Sequence, residues 1–168
     1  KNRNFCIVNF MQKISPLEEN SEIPKFSTLD SDGNLISSSN LLGKRYLIYF
    51  YPRDNTPGCT AQACGFKENY KFFKNNNIKI LGVSGDSIRS HQKFRRKFEL
   101  PFPLLMDEDH KIAKAFGVWG EKRFMGRVYE GIHRISFLIN ENGTIEETYL
   151  KVKAKTHPKE IVSRLKGG

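Results

Sequence analysis

Apolar and polar positions along the chain recur with two different periods, and the switches between them predict its elements. Residues 45–51, RYLIYFY, are a near-continuous apolar and aromatic run. Such a run suits a strand covered on both faces, the centre of a mostly parallel sheet. Residues 60–75 instead set Phe66, Tyr70 and Phe73 four and three positions apart, on one helical face, with Lys67, Lys71 and Lys74 elsewhere and Asn75, Asn76 and Asn77 as the stop. A strand over 78–83, a basic helix over 87–98, a short strand over 103–106 and a helical stretch over 110–116 follow. This β-α-β-α alternation is that of an α/β domain.

Turn chemistry supplies the rest. Phe26 to Leu29 and Leu35 to Ile36 flank Asp32-Gly33, and residues 132–139 and 144–150 flank Asn142-Gly143, two hairpin signals. Residues 158–165 form a closing helix with Pro158 at its first position. Asp107, Glu108, Asp109 and His110 resemble a metal-ligand cluster, but acids just ahead of a helix are expected to cap it and complement its dipole. Residues 117–131 hold four glycines and the lone tryptophan with no clean period, so they are expected to be a long loop with a functional surface.

At 168 residues and 38% apolar content, the chain has room for one well-packed domain, expected over residues 14–168 behind a basic lead over 1–13. Nothing in it is an apolar run long enough to span a membrane, and the lead lacks a secretory cleavage pattern, so an intracellular setting is expected. The net charge of +10 sits mostly at the ends: residues 1–13 and 151–168 hold nine Lys and Arg against Glu160 alone. The body is nearly neutral. Affinity for a polyanion is therefore expected in the termini, as weak, sequence-independent DNA binding, which raises a nuclear location beside a cytoplasmic one.

Three cysteines, Cys6, Cys59 and Cys64, are too few for a disulfide framework and lack zinc spacing. Cys59 follows the apolar run and opens a helix, where unpaired backbone N–H groups and the positive end of the dipole favour a thiolate. Pro52 and Pro57 fix the turn, and Thr56 can aim its hydroxyl at whatever binds the sulfur. A helix dipole lowers a thiol pKa only partly, so a permanent cation is expected as well. Arg134, the one charge in its strand, is the candidate; the competing reading puts it on a solvated edge.

Pro52, Thr56 and Cys59 fit the P-x-x-x-T-x-x-C signature of peroxiredoxins. The stretch YFYPRDNTPGCTAQACGF resembles the class called peroxiredoxin Q or bacterioferritin comigratory protein, and the resemblance continues through LLMDEDHKIAKAFGVWGEK and GIHRISFLIN. It implies a thioredoxin-like fold, a central mixed β-sheet flanked by helices. It implies a thiol peroxidase that acts as a monomer without a cofactor, with Cys59 peroxidatic, Thr56 bonding thiolate and peroxide, Pro52 shielding the sulfur and Arg134 as the activating cation. Cys64 would resolve the sulfenic acid as an intramolecular disulfide, reduced in turn by thioredoxin or glutaredoxin, with hydrogen peroxide and alkyl hydroperoxides as substrates.

Geometry adds a condition. Helical positions five apart have Cα atoms roughly 8.6 Å from each other, beyond the about 7 Å a disulfide tolerates, so the first turns must unwind for the bridge to close. Gly65 should ease that unwinding by ~1 kcal/mol relative to alanine. Other chemistries fit less well. A disulfide oxidoreductase would use C-x-x-C, whereas four residues separate these cysteines. A cysteine hydrolase needs a histidine base, and His133 is expected on the strand face opposite Arg134, with His91, His110 and His157 on surface segments. Cys64 as a small buried apolar residue is the plainest alternative.

Overall fold

The computed structural model describes residues 11–167. Its central sheet has the order β5-β4-β3-β8-β9. The strands are β3 (Arg45–Phe50), β4 (Ile78–Ser84), β5 (Leu104–Met106), β8 (Ile135–Ile139) and β9 (Ile145–Tyr149). β3 runs parallel to β4, β4 parallel to β5, and β8 antiparallel to both β3 and β9, so the sheet is mixed. The run RYLIYFY lies at its centre. Alternation along β3 divides the core into two layers: Tyr46, Ile48 and Phe50 pack with Phe116, Val118 and Phe137, and Leu47, Tyr49 and Tyr51 pack with Cys59, Phe66, Phe94 and Phe102.

The second layer is roofed by α1 (Pro57–Glu68), α2 (Tyr70–Asn75), α3 (Ile88–Phe98) and α5 (His157–Gly167), and the first by α4 (Lys111–Ala115). The predicted single helix over 60–75 is two helices, α1 and α2, which meet at Asn69. Its side-chain amide donates to the carbonyl of Gly65 at 2.8 Å, a local bond that competes with continued helix. The predicted face survives the break, because Phe66 and Phe73 are both fully buried. The expected cap also forms: the Asp107 carboxylate accepts from the backbone N–H of Ile112 at 2.9 Å and of Ala113 at 2.8 Å. Burial nonetheless pushes the Asp107 carboxyl above its ordinary value.

Residues 117–131 are not a loop. They form most of a third hairpin, β6 (Trp119–Phe124) against β7 (Arg127–Ile132), in addition to β8–β9 and the small hairpin β1 (Ser27–Leu29) and β2 (Leu35–Ser37). Met125 and Gly126 turn it with φ of 49° and 75°, the left-handed pair of a two-residue hairpin turn. Met-Gly lacks the Asn or Asp that usually announces this turn, so the strands around it went unread. The strand predicted over 132–139 is also interrupted. β7 ends at Ile132 in one sheet and β8 begins at Ile135 in the other, leaving His133 and Arg134 at the crossing.

Candidate active site

The loop from Tyr51 to Thr56 leaves the C-terminal end of β3 and enters α1, where open α/β sheets place their reactive groups. Thr56 is the N-cap in extended geometry and Pro57 occupies the first turn, so α1 begins three residues earlier than the pattern predicts and Cys59 sits inside that turn. The Thr56 hydroxyl donates to the Arg53 carbonyl at 2.9 Å and does not cap the helix. The first amides of α1 are thus left without an intrahelical partner, facing the end where negative charge is favoured.

Cys59 is 2% exposed, and the Arg134 guanidinium donates to its Sγ at 3.3 Å through Nη2. Nη1 of the same group donates to Gln62 Oε1 at 2.6 Å, fixing the guanidinium plane. Gln62 is fully buried one helical turn after Cys59. Gly58 makes room for this arrangement, because a Cβ there would stand 3.2 Å from Nη2. The alternative of a solvated edge for Arg134 is therefore not what the fold produces. The change of sheets at residues 133–134 releases Arg134 from any strand ladder and lets it reach the helix start.

A second cation stands near. Lys122 on β6 donates to the Ile132 carbonyl at 2.8 Å, and burial, followed by repulsion from Arg134, lowers its ammonium pKa, with Cys59 acting in the opposite direction. Two polar atoms in this part of the core, Tyr49 Oη and Gln62 Nε2, have no partner among the described residues. Burial, then negative charge at Cys59, holds the Tyr49 phenol protonated well above its usual range. Cys64 lies half-buried in the same helix as Cys59, and both thiols are free. Burial is the main reason the Cys64 thiol is pushed up. Pro52 is exposed on the loop. Cys6 lies outside the described residues.

The histidines are placed differently from the sequence expectation. His91 is fully buried and His157 is 2% exposed, while His110 is half-buried and stacked on Trp119 at 4.0 Å. α3 and α5 turn their apolar faces inward and carry His91 and His157 with them. His133 donates through Nε2 to the Glu121 carbonyl at 2.9 Å, away from the cysteine. Gln62 and Lys122 lie outside the sequence expectation, with different signals: Gln62 lies at i+3 from Cys59, a spacing present in the sequence, whereas Lys122 is brought near only by the β6–β7 hairpin.

The model of the AhpC/TSA family matches residues 20–148, most of the chain. The chain belongs to this family, in the peroxiredoxin Q or bacterioferritin comigratory class. Peroxiredoxin Bcp of Escherichia coli is 44% identical over 153 residues, covering 91% of this chain and 98% of that protein. Peroxiredoxin Bcp of Bacillus subtilis is 41% identical over 150 residues, covering 89% and 96%. Among solved structures, a cysteine-to-serine variant of Xylella fastidiosa peroxiredoxin Q superposes with a TM-score of 0.80 at 32% identity over 95% of this chain and 98% of that one. Xanthomonas campestris bacterioferritin comigratory protein, solved as trapped intermediate and ligand complexes that bear on its alkyl peroxide reduction, gives 0.79 at 35% identity over 84% and 90%. This peroxiredoxin is accordingly a thiol peroxidase with a thioredoxin-like fold, taking a hydroperoxide and a thiol reductant. The relatives named are bacterial and lend no support to a nuclear location. No helix of the described residues is long and apolar enough to cross a membrane.

Proposed function

We propose that Cys59 is the peroxidatic residue and Cys64 its resolving partner. The observation that carries the reading is the 3.3 Å contact between Arg134 Nη2 and the Cys59 sulfur, at a helix start and shielded from bulk water. A thiolate there gains a charge-assisted partner in a site of low dielectric. It attacks the terminal oxygen of the hydroperoxide, breaking the O–O bond. Sulfur is oxidised to a sulfenic acid, and the other oxygen leaves as water or an alcohol after taking a proton. Arg134 and the free amides of α1 face the oxygen on which negative charge develops, and Thr56 lines the same turn with Pro52 on its rim. The Cys64 thiol then condenses with the sulfenic acid, releasing water and forming the disulfide, which thioredoxin or glutaredoxin reduces by exchange.

Both cysteines belong to the single helix α1, so closing the bridge requires its first turns to unwind. The raised thiol of Cys64 fits a resolver that waits protonated and does not compete for the peroxide. Hydrogen peroxide and alkyl hydroperoxides are the substrates, in keeping with the alkyl peroxide activity of the Xanthomonas relative. Apart from this chemistry, the basic side chains of residues 151–166 support weak polyanion binding.

The test is stopped-flow reduction of peroxide by the full chain. Cys59→Ser should abolish turnover with the fold intact. Cys64→Ser should still consume one peroxide per chain yet recycle poorly with thioredoxin. Turnover near that of the parent enzyme in Cys59→Ser would reject the assignment.

A further inference from the structure

The loop that delivers Cys59 is held from behind by a buried polar cluster with no part in the reaction as drawn. Asp54, 7% exposed, receives the Tyr51 hydroxyl on Oδ1 at 2.5 Å and the Ser90 hydroxyl on Oδ2 at 2.9 Å. His91 Nδ1 lies 2.7 Å from the same Oδ2. Its other nitrogen, Nε2, lies 2.9 Å from the Leu105 carbonyl, which can only accept, so Nε2 carries a hydrogen. A further proton must therefore sit between Nδ1 and Oδ2, for without it a lone pair would face a carboxylate. With two hydroxyl donors also on the carboxylate, Asp54 and His91 are joined by a short, buried, proton-sharing contact. The backbone N–H of Asp54 is tied down as well, donating at 2.8 Å to Asp86 Oδ2, which also takes the Ser84 hydroxyl at 2.6 Å.

Asp54, Asp86 and His91 lie close enough to suggest a cation site. Their facing atoms are instead spent on one another and on hydroxyl or amide hydrogens, which leaves no converging set of free lone pairs. The cluster is a clamp. It joins the loop to α3 through His91 and Ser90, to β4 through Ser84 and to β5 through Leu105. Beyond it the chain takes a left-handed residue, Asn55 at φ 58°, whose side chain accepts from Lys97 at 3.3 Å, and then the N-cap Thr56. Replacing a buried polar or charged pair by apolar groups is often neutral for stability, so what such a cluster supplies is one backbone path among the several a Pro-containing turn could take.

We infer that Asp54 and His91 are positioning residues for the peroxide step, an inference that rests on Cys59 as the reacting group. They fix where α1 starts, and so hold the sulfur against Arg134. The loop they hold, residues 51–56, lies wholly on the N-terminal side of Cys59, and their partners on α3, β4 and β5 lie outside α1, so the clamp stays closed while α1 unwinds and the helix rewinds onto the same start.

The experiment uses the full chain with Cys6 and Cys64 replaced by serine, so that Cys59 is the one thiol observed. Asp54→Asn, His91→Gln, Tyr51→Phe and Ser90→Ala are compared for single-turnover oxidation by hydrogen peroxide, for ultraviolet absorbance of the thiolate, and for thermal unfolding. At temperatures where all are folded, Asp54→Asn and His91→Gln should slow oxidation by about 10-fold or more, with a loss of thiolate absorbance that a purely structural role would not produce. Tyr51→Phe and Ser90→Ala should shift both in the same direction by less, and they decide the matter if the first two fail to fold. Parental rates and absorbance in folded variants would overturn the inference. Peroxide reduction that persists after Cys59 is removed would instead reject the assignment of Cys59 and leave the clamp without a role to support.

Discussion

The chain on the two sides of Cys59 is held in opposite ways. Before it, residues 51–56 are tied by the buried Asp54–His91 contact and by hydrogen bonds that reach α3, β4 and β5. After it, the two turns that carry Cys64 rest mainly on the apolar contacts of buried Ala63 and Phe66, with the Arg134–Gln62 bond their one side-chain tether among the described residues. Tight polar tethering on one side and ordinary packing on the other suits a reaction that needs an accurately placed sulfur first and a movable one second. Local unfolding should begin where the restraints are fewest.

Removing the cation should have the largest effect on activity. Arg134→Ala leaves the thiolate to the helix end alone, and peroxide reduction should fall by roughly 10²-fold in stopped-flow assays. A far smaller loss would mean that the tethered loop and helix start suffice without it. Next in size is a pH effect on the brace behind the movable turns. His157, at the start of α5, has its pKa lowered to about 4 by burial and, secondarily, by Arg134. The folded state disfavours its protonation, so stability is full above the ordinary value near 6.5 and is lost as pH falls toward 4. The loss should reach roughly 3 kcal/mol. Urea unfolding at neutral and acidic pH should show this slope, and His157→Gln should flatten it.

Gly65 gives a sharper test because two principles disagree on its sign. Helix propensity alone makes alanine favourable there by ~1 kcal/mol. A Cβ would lie 2.9 Å from Pro158 Cγ, however, in a ring that cannot swing away. Gly65→Ala should therefore destabilise by about 1–3 kcal/mol in chemical denaturation and slow disulfide formation little, since the strain falls beyond Cys64. The smallest effect is a control lying outside both regions. The 168-residue chain should shift duplex DNA weakly, and the binding should vanish between about 50 and 200 mM salt. Replacing the exposed Lys151, Lys153, Lys155, Lys159 and Lys166 by glutamine should abolish the shift while leaving α5 in place.

How much of this was legible beforehand depends on where the information lies along the chain. β3, the Phe66–Phe73 face and the cap at Asp107 follow from local periods and turn chemistry. Cys59, Thr56 and Arg134 could be named as a group, Arg134 because a lone charge in an apolar strand needs a partner. The β6–β7 hairpin is not legible locally because Met125-Gly126 carries no recognisable turn signal. The clamp is illegible for a different reason: Tyr51, Asp54, Ser84, Ser90, His91 and Leu105 come from the loop and three separate elements, and each alone reads as an unremarkable surface or strand residue. His91 in particular sits in so basic a helix that its burial shows only once α3 is packed.

The crossing between sheets at His133 and Arg134 has a consequence for how freely this enzyme can vary. On the proposed assignment the activating charge arrives from a joint in the scaffold, and the helix proposed to move contributes the sulfur, its first amides and Gln62. The reactive helix would then be dismantled and rebuilt against a residue whose backbone belongs to neither sheet nor helix, with the Gln62 contact remade each time. The placement of the second thiol would become a choice separable from that of the first.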